Sequence, residues 1–475
     1  MRGVYSVEEI RAAEEALMAR LPAGALMARA AAGLAVECGR LLDRVYGARV
    51  VVLAGAGNNG GDALYAGAQL ARRGAQVSAV LVQPERAHEG GLRSLSRAGG
   101  RVADSDPDAV RGADLVIDGI VGIGGHGGLR GAAIPLAEAA RAVLTVAVDV
   151  PSGVDASTGA AGERCVHADV TVTFGALKTG LVVGAGAEIS GEVRLVDIGL
   201  DDTLPDPDAV VLEAADLTGL LPVPSARDDK YTRGVVGVIA GSAAYPGAGV
   251  LCTGAAVAGG AGMVRYAGTA ADAVRAHHPE VVVHEGVPPT QLQVQAWTIG
   301  SGIGTDDAAR DLLADVLGTQ LPVIVDADAI TLLGQHPELL KGRQAPTVLT
   351  PHDREFARIA DGPSADRLGS ARAAAQNLDA IVLLKGNATV VAAPNGKVWI
   401  NTTGTPWLAT AGSGDVLSGL IGSLLATGAD PRVAAAAGAY IHGMAGQVAA
   451  ADGPPSAADV LHAVRPAVRA LHRGG

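Results

Sequence analysis

The chain has 475 residues, 49% of them hydrophobic, with 66 Gly and only 3% aromatics, so its cores must be built from Val, Leu, Ile and Ala packed close on parallel strands. A formal net charge of -12 argues against nucleic acid or an anionic membrane as partner, and no uninterrupted apolar run reaches the roughly 18 residues of a spanning helix. Three widely spaced cysteines, Cys38, Cys165 and Cys252, argue against a disulfide framework or a metal knuckle and fit a reducing cytoplasm.

The opening stretch, MRGVYSVEEIRAAEEALMARLPAG, reads as an amphipathic, acid-containing helix and not as a basic leader feeding an apolar signal core. From Val50 to Gly199, short β-branched runs (RVVVLAG, AQVSAVLV, ADLVIDGI, LTVAVDVPSG, ADVTVTFG, EVRLVDIGL) alternate with Ala-rich helical patterns. That rhythm predicts βαβ units and a doubly wound, mostly parallel sheet. Two Pro- and Asp-containing stretches, DDTLPDPDAV and LLPVPSARDD, interrupt it, which divides the chain into α/β domains at 1–208 and 209–475. From Val235 the alternation resumes through GVVGVIAGS, PEVVVHEG, AWTIGSGIG, LPVIVDAD, APTVLTPHD and DAIVLLKGNATVVAAPNGKVWI. The last of these reads as two strands joined by a hairpin at Asn395-Gly396. Two long Ala/Leu helices on either side of GADP close the chain, and no internal repeat relates the halves.

Gly55, Gly57 and Gly60 have the G-x-G-x-x-G spacing of a dinucleotide fingerprint, but the next strand lacks the carboxylate that holds a ribose, so the motif alone does not make an oxidoreductase. Ligands of open parallel sheets sit at the carboxyl ends of strands. Four such ends carry chemistry here: Asn58, Asn59 and Asp62; Asp118; Asp149 and Ser152; and Lys178. Taken singly, each is a cap or turn former. Taken together, Asn59, Asp118 and Ser152 are hard oxygen ligands for a cation such as potassium or magnesium. The GIGGHGG loop can lay backbone amides against phosphates, with His126 incidental to it. Asp149 is the base candidate for moving a proton, and Lys178 either assists it or simply pairs with it or with phosphate.

In the second half, Gly412, Ser413 and Gly414 lead straight into an apolar-periodic helix, so free amides and the positive helix end make an anion hole beside Asp415. An Asp so placed can take a proton from a hydroxyl while the amides hold developing phosphoryl charge. Lys385 to Thr389 add a cation and a hydroxyl at a strand end, and His352 and Glu355 lie one helical turn apart. Taken alone, His352 is a structural residue and Glu355 a solvated one. Asp326 and Asp328 end another strand and either reach a magnesium-bound phosphate or cap a turn.

GNNGGD, DGIVGIG, VDVPSGVD and TFGALKTG, in that order, resemble the NAD(P)H-hydrate epimerases, the YjeF N-terminal family, with a Rossmann-like fold across about the first two hundred residues. The resemblance implies substrate contacts at Asn58, Asn59, Gly60, Gly61 and Asp62, at Gly122, Ile123, Gly124, Gly125, His126, Gly127 and Gly128, and at Asp149. It implies potassium at Asn59, Asp118 and Ser152. Ala63 stands where that family usually has Gly. DKYTRG, AGSAAYPGAGVL, GAGMVR, DADAI, LTPH, LLKGNATVV and GSGDVLSG resemble the ribokinase-like ADP- or ATP-dependent NAD(P)H-hydrate dehydratases, the YjeF C-terminal family. This second resemblance implies AMP or ADP at Lys385, Gly386, Asn387, Ala388, Thr389 and Gly414, and hydrated nucleotide against Ala248, Gly302, His352 and Asp415. Magnesium accompanies the ADP. Asp353-Arg354, the missing Pro in SGIG, and Ala411 depart from the usual pattern. Together the resemblances imply a cytoplasmic homo-oligomer that epimerises NADHX and NADPHX and dehydrates the S form with ADP or ATP, with Asp415, Asp149 and Lys178 catalytic. A vitamin or sugar kinase joined to a nucleotide-binding domain, and a nucleotide sensor, are the alternative readings.

Overall fold

The computed structural model describes residues 1–473 apart from 126, 220 and 222. It divides into two compact units, Gly3–Pro207 and a second made of Met1–Arg2 with the chain from Asp208 onward. In the first unit seven parallel strands lie in the order Arg101–Ala103, Gln76–Leu81, Arg49–Ala54, Leu115–Gly119, Thr145–Val148, Val170–Phe174 and Glu192–Val196. The central strands are buried on both faces, which is why they read as continuous β-branched runs without alternation. Leu34, Leu64, Leu70 and Ala63 cover one face, and Ile120, Leu136 and Val166 help cover the other.

The chain runs outward from Arg49–Ala54 in one direction and from Leu115–Gly119 in the other. The strand order therefore reverses between these two strands, and their carboxyl ends open a crevice. Gly55 sits in that crevice because the two loops nearly touch: a Cβ there would lie 1.9 Å from the carbonyl oxygen of Ile120. The helix that follows, Gly57–Arg72, starts from this loop and has no side-chain cap.

The second unit repeats the plan with a longer sheet. Its parallel strands run Val282–Val283, Met263–Tyr266, Val235–Ile239, Ala296–Ile299, Val323–Val325, Thr347–Leu349 and Ile381–Leu384. Thr389–Ala392 and Val398–Asn401 continue the sheet antiparallel, and Ala209–Val211 pairs parallel to the last. The stretch expected to hold two strands therefore holds three. The KGNAT segment is itself a tight turn, because Lys385 to Ala388 leave only four residues between paired strands. The expected hairpin is present, with Gly396 at φ +86°. Here the order reverses between Val235–Ile239 and Ala296–Ile299, which places Gly241 and Gly300 to Gly302 at the switch. Helices Pro246–Ala258, Ser413–Ala426, Pro431–Ala450 and Ala457–Arg473 supply the Ala- and Leu-rich cover, so three helices follow the last strand where the sequence suggested two.

Candidate active sites

In the first unit a cavity of about 1340 Å³ occupies the switch point. Asn58, Asn59, Asp62, Gly122, Ile123, Gly124 and Asp149 line it, together with Arg11, Glu14, Tyr65, Arg86 and His88, which sequence reasoning did not single out. Gly60 and Gly61 are packing glycines: a Cβ on the first would lie 2.3 Å from Gly55 O, and one on the second 2.9 Å from the His88 ring. Gly125, Gly127 and Gly128 are not on the cavity wall, and His126 lies outside the described residues.

Asp149 follows the strand Thr145–Val148 with φ +68°, a left-handed conformation that non-glycine residues adopt at a cost of about 1–3 kcal/mol and that clusters at functional sites. That turn aims its carboxylate at Lys178, whose ammonium is 2.6 Å from Asp149 Oδ1 and only 1% exposed. Lys178 also donates to Thr173 Oγ1 at 2.9 Å and to Phe174 O at 2.8 Å. All three of its protons are thereby used, so Lys178 holds Asp149 and has none left for a phosphate.

Asp118 and Ser152 meet in the interior. Ser152 Oγ lies 2.7 Å from Asp118 Oδ1, and Ser152 N donates to Oδ2 at 2.8 Å. Burial pushes the Asp118 carboxyl up to about 6 in spite of these bonds. Ser152 Oγ accepts from Val121 N at 2.9 Å, while Asn59 bridges Val148 O at 3.0 Å and Gly122 N at 3.2 Å. The three expected cation ligands thus converge on the loop start Val121–Gly122, Asn59 from one side and Asp118 with Ser152 from the other.

Burial, then the charges of Asp149 and Glu14, push Asp62 up to about 8. Burial and Asp149 likewise raise Glu14, against the pull of Lys178 and Arg11. The signal for Glu14 was its place one turn after Ile10, on the rim of the buried Val7, Ile10, Ala13 stripe.

In the second unit the helix Ser413–Ala426 starts at Gly412, φ +89°, with no side-chain cap. Asp415 stands in its first turn. Burial and the charge of Asp326 push its carboxyl up to about 7, although a hydrogen bond from Ser301 and the charge of Lys385 work against them. Gly302, φ +67°, backs onto Ala248: a Cβ there would come within 3.1 Å of the Ala248 methyl. Gly414 lies against Lys385, its Cβ position 3.4 Å from Nζ. Lys385 Nζ is 3.0 Å from Asp326 Oδ1 and 3.5 Å from Glu355 Oε2.

Asp326 is buried, which alone would raise it. The ammonium of Lys385 and hydrogen bonds from Lys385, Ser418 and Thr350 outweigh burial and hold it below the ordinary carboxylate range. Asp328, by contrast, caps a turn through Gly304 N at 2.9 Å. His352 caps the helix Asp353–Ile359, its Nδ1 accepting from Arg354 N and Glu355 N, and Glu355 closes the box by accepting from His352 N at 2.9 Å. Glu355 is buried beside Lys385, not solvated as its position alone suggested.

Ala248, Gly302, Asp415, Gly414 and Lys385 are therefore brought together at the switch, with His352 joined to them through Glu355. Gly386 and Asn387 are exposed on the turn, whereas Ala388 is buried and Thr389 directs its hydroxyl back to Gly386 O at 3.3 Å. One further residue went unnoticed in the sequence: His442, buried in the Ala-rich helix Pro431–Ala450, lies 3.2 Å from Ser413 Oγ. Burial lowers it to about 4, so it is a neutral support beneath the anion hole.

Two doubly wound units, each gathering polar groups at its switch point, define a two-site α/β enzyme. Family models agree: one described as YjeF-related protein N-terminus matches residues 23–180, and one described as NAD(P)H-hydrate dehydratase matches 236–464. The bifunctional NAD(P)H-hydrate repair enzyme Nnr of Mycobacterium tuberculosis is 55% identical over 92% of this chain and 92% of its own. The enzyme of the same description from Mycobacterium leprae is 51% identical over 99% of this chain and 100% of its own. Among solved structures, an ADP/ATP-dependent NAD(P)H-hydrate dehydratase from Bacillus subtilis, co-crystallised with ATP/Mg2+, is 26% identical with a TM-score of 0.50, covering 55% of this chain and 97% of that one. The chain belongs to the family of bifunctional NAD(P)H-hydrate repair enzymes. Among the described residues no helix is long and apolar enough to cross a membrane.

Proposed function

We propose that the first unit interconverts the R and S epimers of NADHX and NADPHX, and that the second dehydrates the S epimer to NADH or NADPH while converting ADP to AMP and phosphate. The observation that carries this reading is Asp415, a carboxylate poised near neutrality in the first turn of an uncapped helix and beside Lys385. A kinase-like fold suits a dehydration because hydroxide leaves poorly and a phosphate ester leaves well. Asp415 takes the proton of the substrate hydroxyl, whose oxygen attacks the terminal phosphoryl of ADP. The amides of Ser413 and Gly414 and the Lys385 ammonium hold the developing charge. Phosphate then leaves with the hydroxyl oxygen and the carbon–oxygen electron pair, the adjacent ring carbon releases a proton, and its electron pair forms the C=C bond that restores the dihydronicotinamide ring.

Magnesium that arrives with the nucleotide neutralises phosphate charge when bound. Asp326 is committed to Lys385, Thr350 and Ser418, which leaves Asp328 as the carboxylate with an oxygen to offer. In the first unit a monovalent cation such as potassium fits Asn59, Asp118 and Ser152. Asp118 is a fully buried carboxylate that accepts only from neutral donors and meets no basic side chain among the described residues. A cation there balances that charge and fixes the start of the 122–128 loop. Asp149 is the base for epimerisation, and Lys178 keeps it in place. Presenting the purified S epimer with magnesium and either ADP or ATP tests the second unit: NADH returns with release of phosphate, whereas accumulation of a stable phosphorylated product identifies an ordinary kinase.

A further inference from the structure

The epimerase cavity contains more acid than its assigned chemistry uses. Asp62, Asp149 and Glu14 all line it. Lys178 spends its protons on Asp149, Thr173 and Phe174, so it contributes none to Asp62. Asp62 Oδ1 is buried without any hydrogen-bond partner, although Asp62 sits on the wall of the cavity. An ionised carboxylate in that position would be desolvated, with Oδ1 unpartnered and the carboxylates of Asp149 and Glu14 nearby, an arrangement that favours the neutral acid.

We propose that Asp62, carrying its proton, is the general acid that works with the Asp149 carboxylate in epimerisation. The inference rests on the epimerase reading of this unit and names the second participant in its reaction. The hydrated ring carries its hydroxyl on the carbon bonded to the ring nitrogen. Asp149 takes the hydroxyl proton, a C=O bond forms, and the carbon–nitrogen bond breaks with its electron pair going to nitrogen. Asp62 delivers its proton to that nitrogen. The chain is now an open aldehyde that rotates about its single bond, and closure on the other face runs the same transfers backward. Nitrogen returns its proton to Asp62, the new alkoxide takes one from Asp149, and the enzyme is restored without any co-reactant.

The charged and titratable groups around Asp62 agree with this division of labour. Asp149 is paired with the Lys178 ammonium at 2.6 Å, while Asp62 Oδ1 has no hydrogen-bond partner. Glu14 and Arg11 approach from the first helix, and Tyr65 and His88, ring centroids 5.6 Å apart, occupy the same wall. Burial and its two acidic neighbours hold Asp62 at about 8, which keeps the donor loaded at neutral pH.

The test is the pH dependence of interconversion of the separated epimers, measured on the full chain without nucleotide so that dehydration is silent. The wild-type kcat/KM falls by about tenfold per pH unit above pH 8 as the acid is lost. Asp62→Asn lowers kcat by about 10²–10⁴-fold with KM little changed and removes that alkaline fall. A rate within about threefold of wild type, or an alkaline limb that persists in the Asn variant, overturns the proposal. If the variant does not fold, the wild-type profile decides, since a rate that stays level through pH 8 and above also overturns it. Wild-type protein that leaves the epimer ratio untouched overturns the epimerase reading itself, a different result from an active wild type with an equally active variant.

Discussion

Replacing Asp415 with Asn should remove dehydration and, at the same time, stabilise the second unit at neutral and alkaline pH. The carboxyl is raised from 3.8 to about 7, mainly by burial and by the charge of Asp326. Below 3.8 both folded and unfolded chains hold the proton, and the group costs nothing. As pH climbs from 3.8 toward 7 the unfolded chain ionises while the folded one does not, so stability is lost across that window. Above about 7 the full penalty is in place, an upper limit on the order of 4 kcal/mol at 1.36 kcal/mol per pH unit. Asn escapes it. All three tryptophans, Trp297, Trp399 and Trp407, belong to the second unit, so urea unfolding followed by tryptophan fluorescence reports on that unit alone. The Asn variant should unfold at higher urea than wild type at pH 8, and the gap should close at acid pH. Its dehydration rate should drop by about 10²–10⁴-fold, equivalent to roughly 3–5 kcal/mol of barrier, while epimerisation continues. An Asn variant that is less stable at pH 8, or that dehydrates within tenfold of wild type, would refute a strained, charge-bearing base at this position.

Lys385→Met leaves Asp326 buried without its cation and should cost the second unit about 3–5 kcal/mol by the same fluorescence assay. It should also abolish the stability that the depressed Asp326 carboxyl contributes above 3.8 and that wild type loses as pH falls through its lowered value. Gly55→Ala drives a methyl onto Ile120 O and should destabilise the first unit by about 1–3 kcal/mol or more, with epimerisation lost and dehydration of the S epimer kept. Potassium, compared with tetramethylammonium at equal ionic strength, should raise the thermal stability of the first unit, and Asp118→Asn should erase the difference. An equal response to both salts would remove the cation from the site.

The doubly wound fold was legible because strands buried on both faces must be apolar and β-branched, and their ends fall where Gly and polar residues cluster. The extra turn at Lys385 to Ala388 was not, because KGNAT carries no Asn-Gly or Asp-Gly signal and its neighbours remain apolar throughout. Residues that act through tertiary contact were the hardest to find. Glu14 reads as one acid among several on an amphipathic helix, and only the folded chain sets it at the cavity of Asp62 and Asp149. His442 is a single imidazole in an Ala-rich helix, and its place under Ser413 depends on two helices meeting. Asp326 and Asp328 were equivalent in the sequence, two residues apart. Burial separates them, one becoming the anchor of Lys385 and the other the cap of a turn.

One chain carrying both activities should convert either epimer to NADH. The most direct measurement is NADH recovered from an equal mixture of R and S hydrates, incubated with excess ADP and magnesium. Both epimers should be consumed to completion, the R form at a rate set by the first unit, with phosphate released in step with NADH. Recovery that stops when the S form is exhausted, with the R form disappearing no faster than it does without protein, would contradict it.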